Sequence, residues 1–487
     1  MTGSVWVVLP LACLLAGAFV VYLVARFLTR RNGLLALVTA LALAMALVAL
    51  AILSSMVDVD RLPAWGRSAP GGAWLRAEPG AVVIAGVALG LAVTVIVYSG
   101  RYLALDRRYG TFYPLLLLLV AGLVGMVLAA DLFNLYLFCE MMSVATYVLV
   151  AFRRRTRTAI EAGFKYLVMS SAGTVTILLG IAFVFRETAS TALFQRVNAP
   201  GLWVRAGVAC FVVGLGLKSA LVPLHTWLPD AHGRAPSSIS AMLSGIVVQS
   251  TFYALLRVCL GLGLPSRDLG TLLIVLSLLN MTLGNGLALV QTHTKRLLAY
   301  STIAQVGYLM FSVGVGLRFD LPAAIQAGFF LILAQALMKG LAFLCKGACH
   351  FYRGTTTIEQ LRGTAVHMPL VAVAFGLALL GLAGVPPLPG FVAKWLVLDG
   401  ALDSSSALGI VGLVAFLLNS VTALGYYLPL LGKLFSKSPD SARVSVSPWM
   451  ALPILLLGGL TLAVGLYPGP WLRWTEAASA YLLALGR

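Results

Sequence analysis

The chain has 487 residues, of which 60% are hydrophobic and 10% are charged, and its mean hydropathy is +0.98. A soluble domain carries about a quarter charged residues, so this composition excludes a set of soluble domains. The net charge of +18 does not indicate nucleic-acid binding, because the cations flank apolar segments instead of forming a basic patch interleaved with aromatic residues.

Apolar stretches follow one another along the chain with only short breaks. Because a helix that crosses a bilayer needs about 20 mostly apolar residues, we predict an all-α polytopic membrane protein with fourteen transmembrane helices. The first stretch is long enough to span, so we expect it to be retained as an uncleaved helix. The predicted spans are 4–28, 34–56, 80–100, 112–130, 131–152, 158–185, 204–225, 236–262, 268–292, 297–317, 322–349, 369–397, 405–432 and 447–468.

The seventh and twelfth spans are interrupted by prolines beside a lysine. They contain GLGLKSALVPLHTWLPDAH and LAGVPPLPGFVAKW, and they lie five spans apart. Interrupted helices at corresponding positions are typical of inverted repeats, so we predict two five-helix repeats, formed by spans four to eight and nine to thirteen. The predicted division is 1–111 for the first three helices, 112–262 for the first repeat, 268–432 for the second, and 447–487 for the last helix and C-terminal tail.

The loops on one side of the predicted bundle carry more Lys and Arg than the loops on the other. By the positive-inside rule, the richer side faces the cytoplasm of a cell inner (plasma) membrane, and both termini lie outside. The richer side holds Arg26, Arg30, Arg31, Arg101, Arg107, Arg108, Arg153, Arg154, Arg155, Arg157, Arg234, Lys295, Arg296, Lys346, Arg353, Arg362, Lys433, Lys437 and Arg443. The other side includes Arg61, Arg67, Arg76 and Arg196.

Six ionisable residues fall inside predicted spans. Each costs about 2.5–3.5 kcal/mol to insert at mid-membrane, so each is a candidate functional residue. They are Glu140, Lys165, Lys218, Arg257, Lys339 and Lys394. Glu140 and Lys218 are predicted at similar depth on adjacent helices, where a carboxylate and an ammonium group stabilise each other's charge and couple their protonation.

Structural alternatives apply to several of these residues. Arg257 lies about one turn from the outer end of its span and can extend to the surface, and Lys165 can reach the inner interface. His225, with His232, Trp227 and Asp230, is either a proton-uptake group or part of an interfacial cap. The deep polar residues Gln305 and Tyr308 either line water or form hydrogen bonds between helices.

Four segments, taken in chain order, resemble those of one family. They are DLFNLYLFCEMMSVATYVLVAF at 131–152, LKSALVPLHTWLPDAHGRAPSSISAMLSGIVV at 217–248, KRLLAYSTIAQVGY at 295–308 and GVPPLPGFVAKW at 384–395. The family is that of the antiporter-like membrane subunits of respiratory complex I, Mrp-type multisubunit Na⁺/H⁺ antiporters and membrane-bound hydrogenases. The resemblance covers about residues 80–430. It implies fourteen helices, two inverted five-helix repeats, and broken seventh and twelfth helices.

The resemblance also implies a proton relay. Glu140 matches the family's glutamate on the fifth helix, Lys218 its partner lysine on the seventh, Lys339 the lysine of the eleventh and Lys394 the terminal lysine of the twelfth. The chain departs from the family in two places. Gln335 stands one turn before Lys339, where a histidine is common.

The second departure is Gln249, which occupies the eighth-helix position where the family usually has a lysine or histidine. A glutamine does not titrate, so either bound water carries the central step or the relay is altered. Ser244, Ser250 and Thr251 either provide further polar lining beside Gln249 or form ordinary hydrogen bonds between helices.

The predicted function is proton translocation, with Na⁺/H⁺ antiport as a variant, by a subunit with no cofactor, metal or redox centre of its own. The expected partners are homologous antiporter-like subunits and small membrane subunits. The complex is an Mrp antiporter, whose D-type membrane component this chain resembles, an NADH:quinone oxidoreductase, or a membrane-bound hydrogenase. The alternatives are a non-conducting structural homologue in such a complex, a stand-alone secondary transporter, and a membrane enzyme, for which the few dispersed acidic residues give little support.

Overall fold

The structure is a computed structural model of the chain. It describes residues 4–28, 32–58, 61–66, 74–104, 106, 108–153, 156–194, 197, 200–402, 404, 406–437 and 442–487. Seven cations used in the orientation argument lie outside these residues. They are Arg30, Arg31, Arg67, Arg107, Arg154, Arg155 and Arg196.

The described residues form a nearly all-helical bundle, as predicted. The helices are α1 Val5–Leu28, whose last five residues are π-helical, α2 Asn32–Ser55, α3 Pro79–Tyr102, α4 Tyr109–Leu128, α5 Leu132–Val150, α6 Arg157–Thr188, α7 Leu202–Lys218, α8 Trp227–Arg234, α9 Ser237–Gly261, α10 Ser266–Leu289, α11 Thr294–Phe319, α12 Pro322–Arg353, α13 Thr364–His367, α14 Pro369–Ala383, α15 Pro389–Leu402, α16 Ala407–Phe435, α17 Pro448–Leu466 and α18 Gly469–Gly486. A short hairpin, β1 Ala64–Gly66 and β2 Trp74–Arg76, joins α2 to α3.

Twelve helices of the described chain are long and apolar enough to cross a membrane. The predicted seventh span, 204–225, covers nearly all of α7 and most of the non-helical segment 219–226, and α8 begins just beyond its predicted end. The predicted twelfth span is the pair α14 and α15, separated by residues 384–388. The polytopic helical architecture is therefore confirmed. The inverted-repeat relation and the four-part division of the chain stay predictions.

The bundle has two distinguishable ends. The hairpin end carries β1–β2, which is joined to the end of α4 by a bridge between Leu75 and Ala129. The basic end carries the end of α5, the start of α11 and the end of α12. Both described termini lie at the hairpin end, because the Ser4 amide donates to the Ala64 carbonyl and Arg487 pairs with Asp320 in the turn after α11. Which membrane side this end faces stays a prediction.

The β1–β2 hairpin and helix α18 were not predicted from the sequence, and neither were the short helices α8 and α13, which lie between predicted spans. The β1–β2 hairpin has only three residues per strand, too few for a recognisable alternating pattern. Helix α18 occupies the segment expected to be a C-terminal tail, and a two-residue break at Tyr467 and Pro468 separates it from α17. Its buried face includes Leu482 and Leu483, so its amphipathic pattern reflects packing along the hairpin end of the bundle.

The centre of the bundle consists of α9, α11 and α12. Nearly all residues of these helices are buried, whereas α1, α2 and α16 keep large exposed apolar side chains on one face. Helix α9 contains a π-helical turn at Leu243–Val247, which widens the helix locally. The interior helices thus bring together the polar residues of the middle of the chain.

Arg257 does not extend to the membrane surface, contrary to the alternative raised by its position in the sequence. Its side chain is 0% exposed and its guanidinium donates to both Glu78 carboxylate oxygens at 3.0 Å. A further bond reaches the Ala129 carbonyl at 2.8 Å. Glu78 precedes α3 and is also fully buried, so this ion pair joins α9 to the start of α3 and the end of α4.

Replacing Arg257 with Leu removes two hydrogen bonds to the buried Glu78 carboxylate and leaves the partly exposed Arg76 guanidinium, at 3.2 Å, as its countercharge. We expect the free energy of unfolding, measured by denaturant titration in detergent micelles, to fall by about 1–3 kcal/mol. Replacing both residues by Leu should recover part of that loss. The matched control is Arg487→Gln, which removes an exposed ion pair and should cost less than about 1 kcal/mol. An Arg257→Leu protein as stable as the parent would show that the pair is not structural.

Candidate functional site

Lys218 and Glu140 lie together, as the sequence predicted. Lys218 is the last residue of α7 and is 3% exposed. Its Nζ atom donates to the Ser143 hydroxyl at 2.6 Å and the Ser170 hydroxyl at 2.8 Å, and lies 3.5 Å from Glu140 Oε1. The ammonium group is therefore held by acceptors from both α5 and α6.

The depth of Glu140 follows from the start of its helix. The Asp131 carboxylate caps α5 by accepting hydrogen bonds from the amides of Phe133 and Asn134. Nine residues at about 1.5 Å each then place Glu140 near mid-membrane. The hydroxyl of Thr174 in α6 donates to the same carboxylate oxygen that faces Lys218, and the Glu140 side chain remains 31% exposed.

The break after α7 is closed by side chains from within and outside the broken helix. The Trp227 indole Nε1 donates at 2.9 Å to the Leu217 carbonyl, which also accepts from the Ala220 amide at 3.1 Å. Asn280 of α10 accepts from the Val222 amide at 2.9 Å and donates to the Ala220 carbonyl at 3.3 Å. Sequence analysis missed Asn280, although an amide within an apolar span was a usable signal.

The histidines near this break have different surroundings. His232 is fully buried, its ring stacks on Phe343 with 5.1 Å between centroids, and neither ring nitrogen has a hydrogen-bond partner within the described chain. It is therefore not an interfacial cap. The Nδ1 atom of His225 also lacks a partner among these residues. Asp230 does lie at the basic end, where it pairs with Lys165 at 3.3 Å and Arg296 at 3.1 Å.

Lys339 lies in α12 with 0% exposure. Its ammonium group donates to the Leu298 carbonyl at 2.9 Å and to the Ser301 hydroxyl, both in α11. No carboxylate oxygen of the described residues comes within 4.0 Å of it. The ammonium group of Lys339 is thus bound by neutral oxygens, whereas that of Lys218 also lies beside a carboxylate.

Two glutamines extend the polar line from Lys339 toward the break after α14. Gln335 precedes Lys339 by one turn in α12, and its Nε2 donates to Gln305 Oε1 at 2.5 Å. Gln305 lies one turn after Ser301 in α11 and donates to the Leu382 carbonyl at 3.3 Å. Because a histidine in place of Gln335 would titrate and an amide does not, this part of the line can orient protons but cannot hold an extra one.

Lys394 lies at the far end of this line, in α15. It donates to the Ala383 carbonyl, at the end of α14, at 3.0 Å, and its Nζ lies 5.1 Å from the centroid of the Tyr308 ring. Gly384 follows Ala383 with φ of +89°, and a Cβ atom there would lie 2.9 Å from the Lys394 side chain. Glycine therefore allows both the left-handed turn and the close approach of the lysine.

Gln249 lies in α9, two residues after its π-helical turn. Its Nε2 donates at 3.0 Å to the Ser244 carbonyl, which belongs to the π-helical turn of α9, and its Oε1 has no partner among the described residues. The Ser244 hydroxyl bonds to the Thr302 hydroxyl of α11 at 2.6 Å. The hydroxyls of Ser250 and Thr251 both donate to the Val247 carbonyl of their own helix, and their role as polar lining stays a prediction.

Comparison with known proteins places this arrangement among membrane subunits of respiratory and antiporter complexes. Residues 129–420 match the family described as NADH:quinone oxidoreductase/Mrp antiporter, transmembrane. The chain is 32% identical to NADH-quinone oxidoreductase subunit N of Desulforudis audaxviator over 82% of this chain and 83% of the relative. It is 31% identical to F(420)H(2) dehydrogenase subunit N of Methanosarcina mazei, with the same coverage of each chain.

Solved structures of three complexes contain chains with a similar fold. A chain of an archaeal membrane-bound sulfane sulfur reductase matches with a TM-score of 0.89 and 25% identity over 99% of this chain and 98% of that one. A chain of the Mrp complex from Dietzia matches with a TM-score of 0.86, 25% identity and the same coverage. Respiratory complex I from Thermus thermophilus contains a chain that matches with a TM-score of 0.78 and 27% identity, over 96% and 99% of the two chains.

Proposed function

Because the chain belongs to the NADH:quinone oxidoreductase/Mrp antiporter membrane family, we propose that it moves protons through the membrane as one subunit of a multisubunit complex. The observation that carries this proposal is a line of buried and half-buried ionisable and amide side chains across the middle of the bundle. Its members are Glu140, Lys218, Gln249, Lys339, Gln335, Gln305 and Lys394.

The pair of Glu140 and Lys218 is the proposed first station of the path, where a station is a side chain, or a pair of side chains, that binds or relays the proton. The Glu140 carboxylate lies 3.5 Å from the Lys218 ammonium, so each charge is balanced by the other. In this proposal a proton that arrives at Glu140 removes the negative charge beside Lys218, and the lysine passes its proton onward. The hydroxyls of Ser143 and Ser170 remain as acceptors for the lysine during this change.

Gln249 is the proposed central station, together with water that occupies the path during transport. Its Oε1 is an available acceptor within the described chain, and Ser244 and Thr302 continue the polar line into α11. An amide orients a water molecule by accepting and donating hydrogen bonds but stores no proton. In this proposal the proton therefore passes from the Lys218 region to the Lys339 region without resting on Gln249.

Lys339 and Lys394 are the proposed stations of the second half. Both have carbonyl or hydroxyl acceptors, and the two glutamines lie between them. This lining also favours H⁺ over Na⁺ as the ion moved through this part. An oxygen-ligated cation is repelled by two ammonium groups, whereas a lysine binds and releases a proton directly.

A neighbouring subunit is proposed to cover the exposed part of Glu140. On the same face of α5, Phe133, Leu137 and Val144 are 40%, 47% and 42% exposed. A carboxylate within such an apolar face would meet hydrocarbon if the chain were alone in the membrane, and that contact is costly. This favours a complex over a stand-alone transporter, in keeping with relatives that are subunits of larger assemblies.

Replacing Glu140 with Gln keeps the side-chain shape and removes the titrating group. We expect proton pumping by the assembled complex, followed by fluorescence quenching in everted vesicles, to fall at least tenfold while the complex still assembles. Asp320→Asn is the matched control, because it neutralises a carboxylate that is exposed and lies in the turn after α11. Unchanged pumping by a fully assembled Glu140→Gln complex would contradict the proposed relay.

Two substitutions of Gln249 separate a conducting subunit from a structural homologue. Gln249→Leu removes the polar group that orients water and should abolish pumping. Gln249→Lys supplies a titrating group at the same depth and should retain it. Both rates are measured in the same everted vesicles and divided by the amount of assembled complex. If neither change affects pumping, this subunit serves as a scaffold.

Replacing Lys394 with Ala removes the terminal station of the line. We expect pumping to be lost while electron transfer by the partner subunits, where the complex has such subunits, stays partly active. Lys437→Gln, an exposed charge at the basic end, is the matched control and should pump normally. Persistent pumping by Lys394→Ala would place the outlet of the path elsewhere.

A further inference from the structure

A cavity of about 690 Å³ opens at the basic end of the bundle, away from the line of buried lysines. It lies between the start of α6, α8, the start of α11 and the end of α12. Six cations and two carboxylates line it. They are Arg153, Lys165, Arg234, Lys295, Arg296 and Lys346, with Glu161 and Asp230.

Both carboxylates of the cavity are engaged by only two of the cations. Lys165 pairs with Glu161 at 2.8 Å and with Asp230 at 3.3 Å. Arg296 pairs with the other oxygen of Asp230 at 3.1 Å. Arg153 pairs with Asp106, which is not part of the cavity wall. The wall of the cavity therefore carries a net positive charge.

Three cavity cations have no carboxylate within 4.0 Å among the described residues: Arg234, Lys295 and Lys346. The Lys346 side chain is 1% exposed, and its ammonium donates to the Thr355 carbonyl at 2.7 Å. Lys295 donates to the Ala235 carbonyl, also at 2.7 Å. One neutral acceptor leaves most of an ammonium's hydrogen-bonding capacity unused, and a buried positive charge without a counterion is costly.

We propose that this cavity binds a phosphate-type anion. Arginine and lysine are the side chains that bind phosphate oxygens, and Arg234, Lys295 and Lys346 provide one guanidinium and two ammonium groups from three different helices. The anion would supply the missing countercharge. It would also hold α8 to the ends of α11 and α12 beside the broken seventh span.

The surface next to the cavity favours an anionic phospholipid as the source of the phosphate. Glu161 and Lys165 line the cavity, and the same stretch of α6 exposes an apolar row beside them. In that row Ile160, Phe164 and Val168 are 50%, 62% and 50% exposed. A phospholipid can place its headgroup in the cavity and its acyl chains along this row, as expected for basic pockets between transmembrane helices.

The test uses the purified complex in detergent, with bound lipids detected by native mass spectrometry and affinities measured by titration. Added ligands are phosphatidylglycerol, phosphatidylcholine and inorganic phosphate. We expect saturable binding of phosphatidylglycerol, at least tenfold tighter than that of phosphatidylcholine. Competition by millimolar inorganic phosphate would show that the phosphate group itself is bound. Saturable binding of inorganic phosphate alone would identify the free ion as the source.

Variants locate the binding in the cavity. Lys346→Met should weaken phosphatidylglycerol binding at least tenfold, and Arg234→Gln, a change at an exposed position that should not disturb folding, should weaken it several-fold. Lys437→Gln removes one charge from the same end outside the cavity and should have no effect. Equal binding by the parent and both cavity variants would overturn the proposal. A parent complex that binds neither phosphatidylglycerol nor phosphate would overturn it too, and would leave a carboxylate from a neighbouring subunit as the counterion.

Discussion

A buried ammonium group determines how the centre of this bundle is built. Lys218 has no access to water at the protein surface, so its positive charge has to be satisfied by side chains at the depth where α7 ends. Ser143 comes from α5 and Ser170 from α6, and each must be within hydrogen-bond distance at once. The register of three helices is thereby tied to one nitrogen atom, and Glu140 is brought close by the same arrangement.

The two halves of the proposed path differ in their electrostatics. In the first half a carboxylate balances the lysine, whereas Lys339 and Lys394 are held by hydroxyl and carbonyl oxygens of the described residues. Neutral acceptors stabilise an ammonium less than a carboxylate does. Adding a proton to a neutral Lys339 or Lys394 therefore creates a positive charge held by neutral acceptors, whereas adding a proton to Glu140 removes the negative charge beside Lys218.

Features that follow from a large local free-energy cost could be predicted from the sequence. Apolar length predicted the spans, prolines predicted both breaks, and the cost of burying charge singled out Glu140 and Lys218. Features that depend on distant partners were missed. Nothing local to Glu78 indicates Arg257 as its partner. Lys346 lies inside the predicted span 322–349 and was nevertheless counted with the flanking cations, because composition alone does not separate a buried lysine near the end of a span from one at the surface.

The two breaks use their freed carbonyls differently. At the first, the Trp227 indole occupies the Leu217 carbonyl, and an indole N–H has no protonation change near neutral pH. At the second, the Ala383 carbonyl depends on the Lys394 ammonium. A lysine that swings away leaves this oxygen unsatisfied, at a cost of about 1–3 kcal/mol unless water replaces it. The hydrogen bond at the break after α7 is therefore independent of protonation. At the break after α14, access of water to the Ala383 carbonyl depends on the position of the Lys394 side chain.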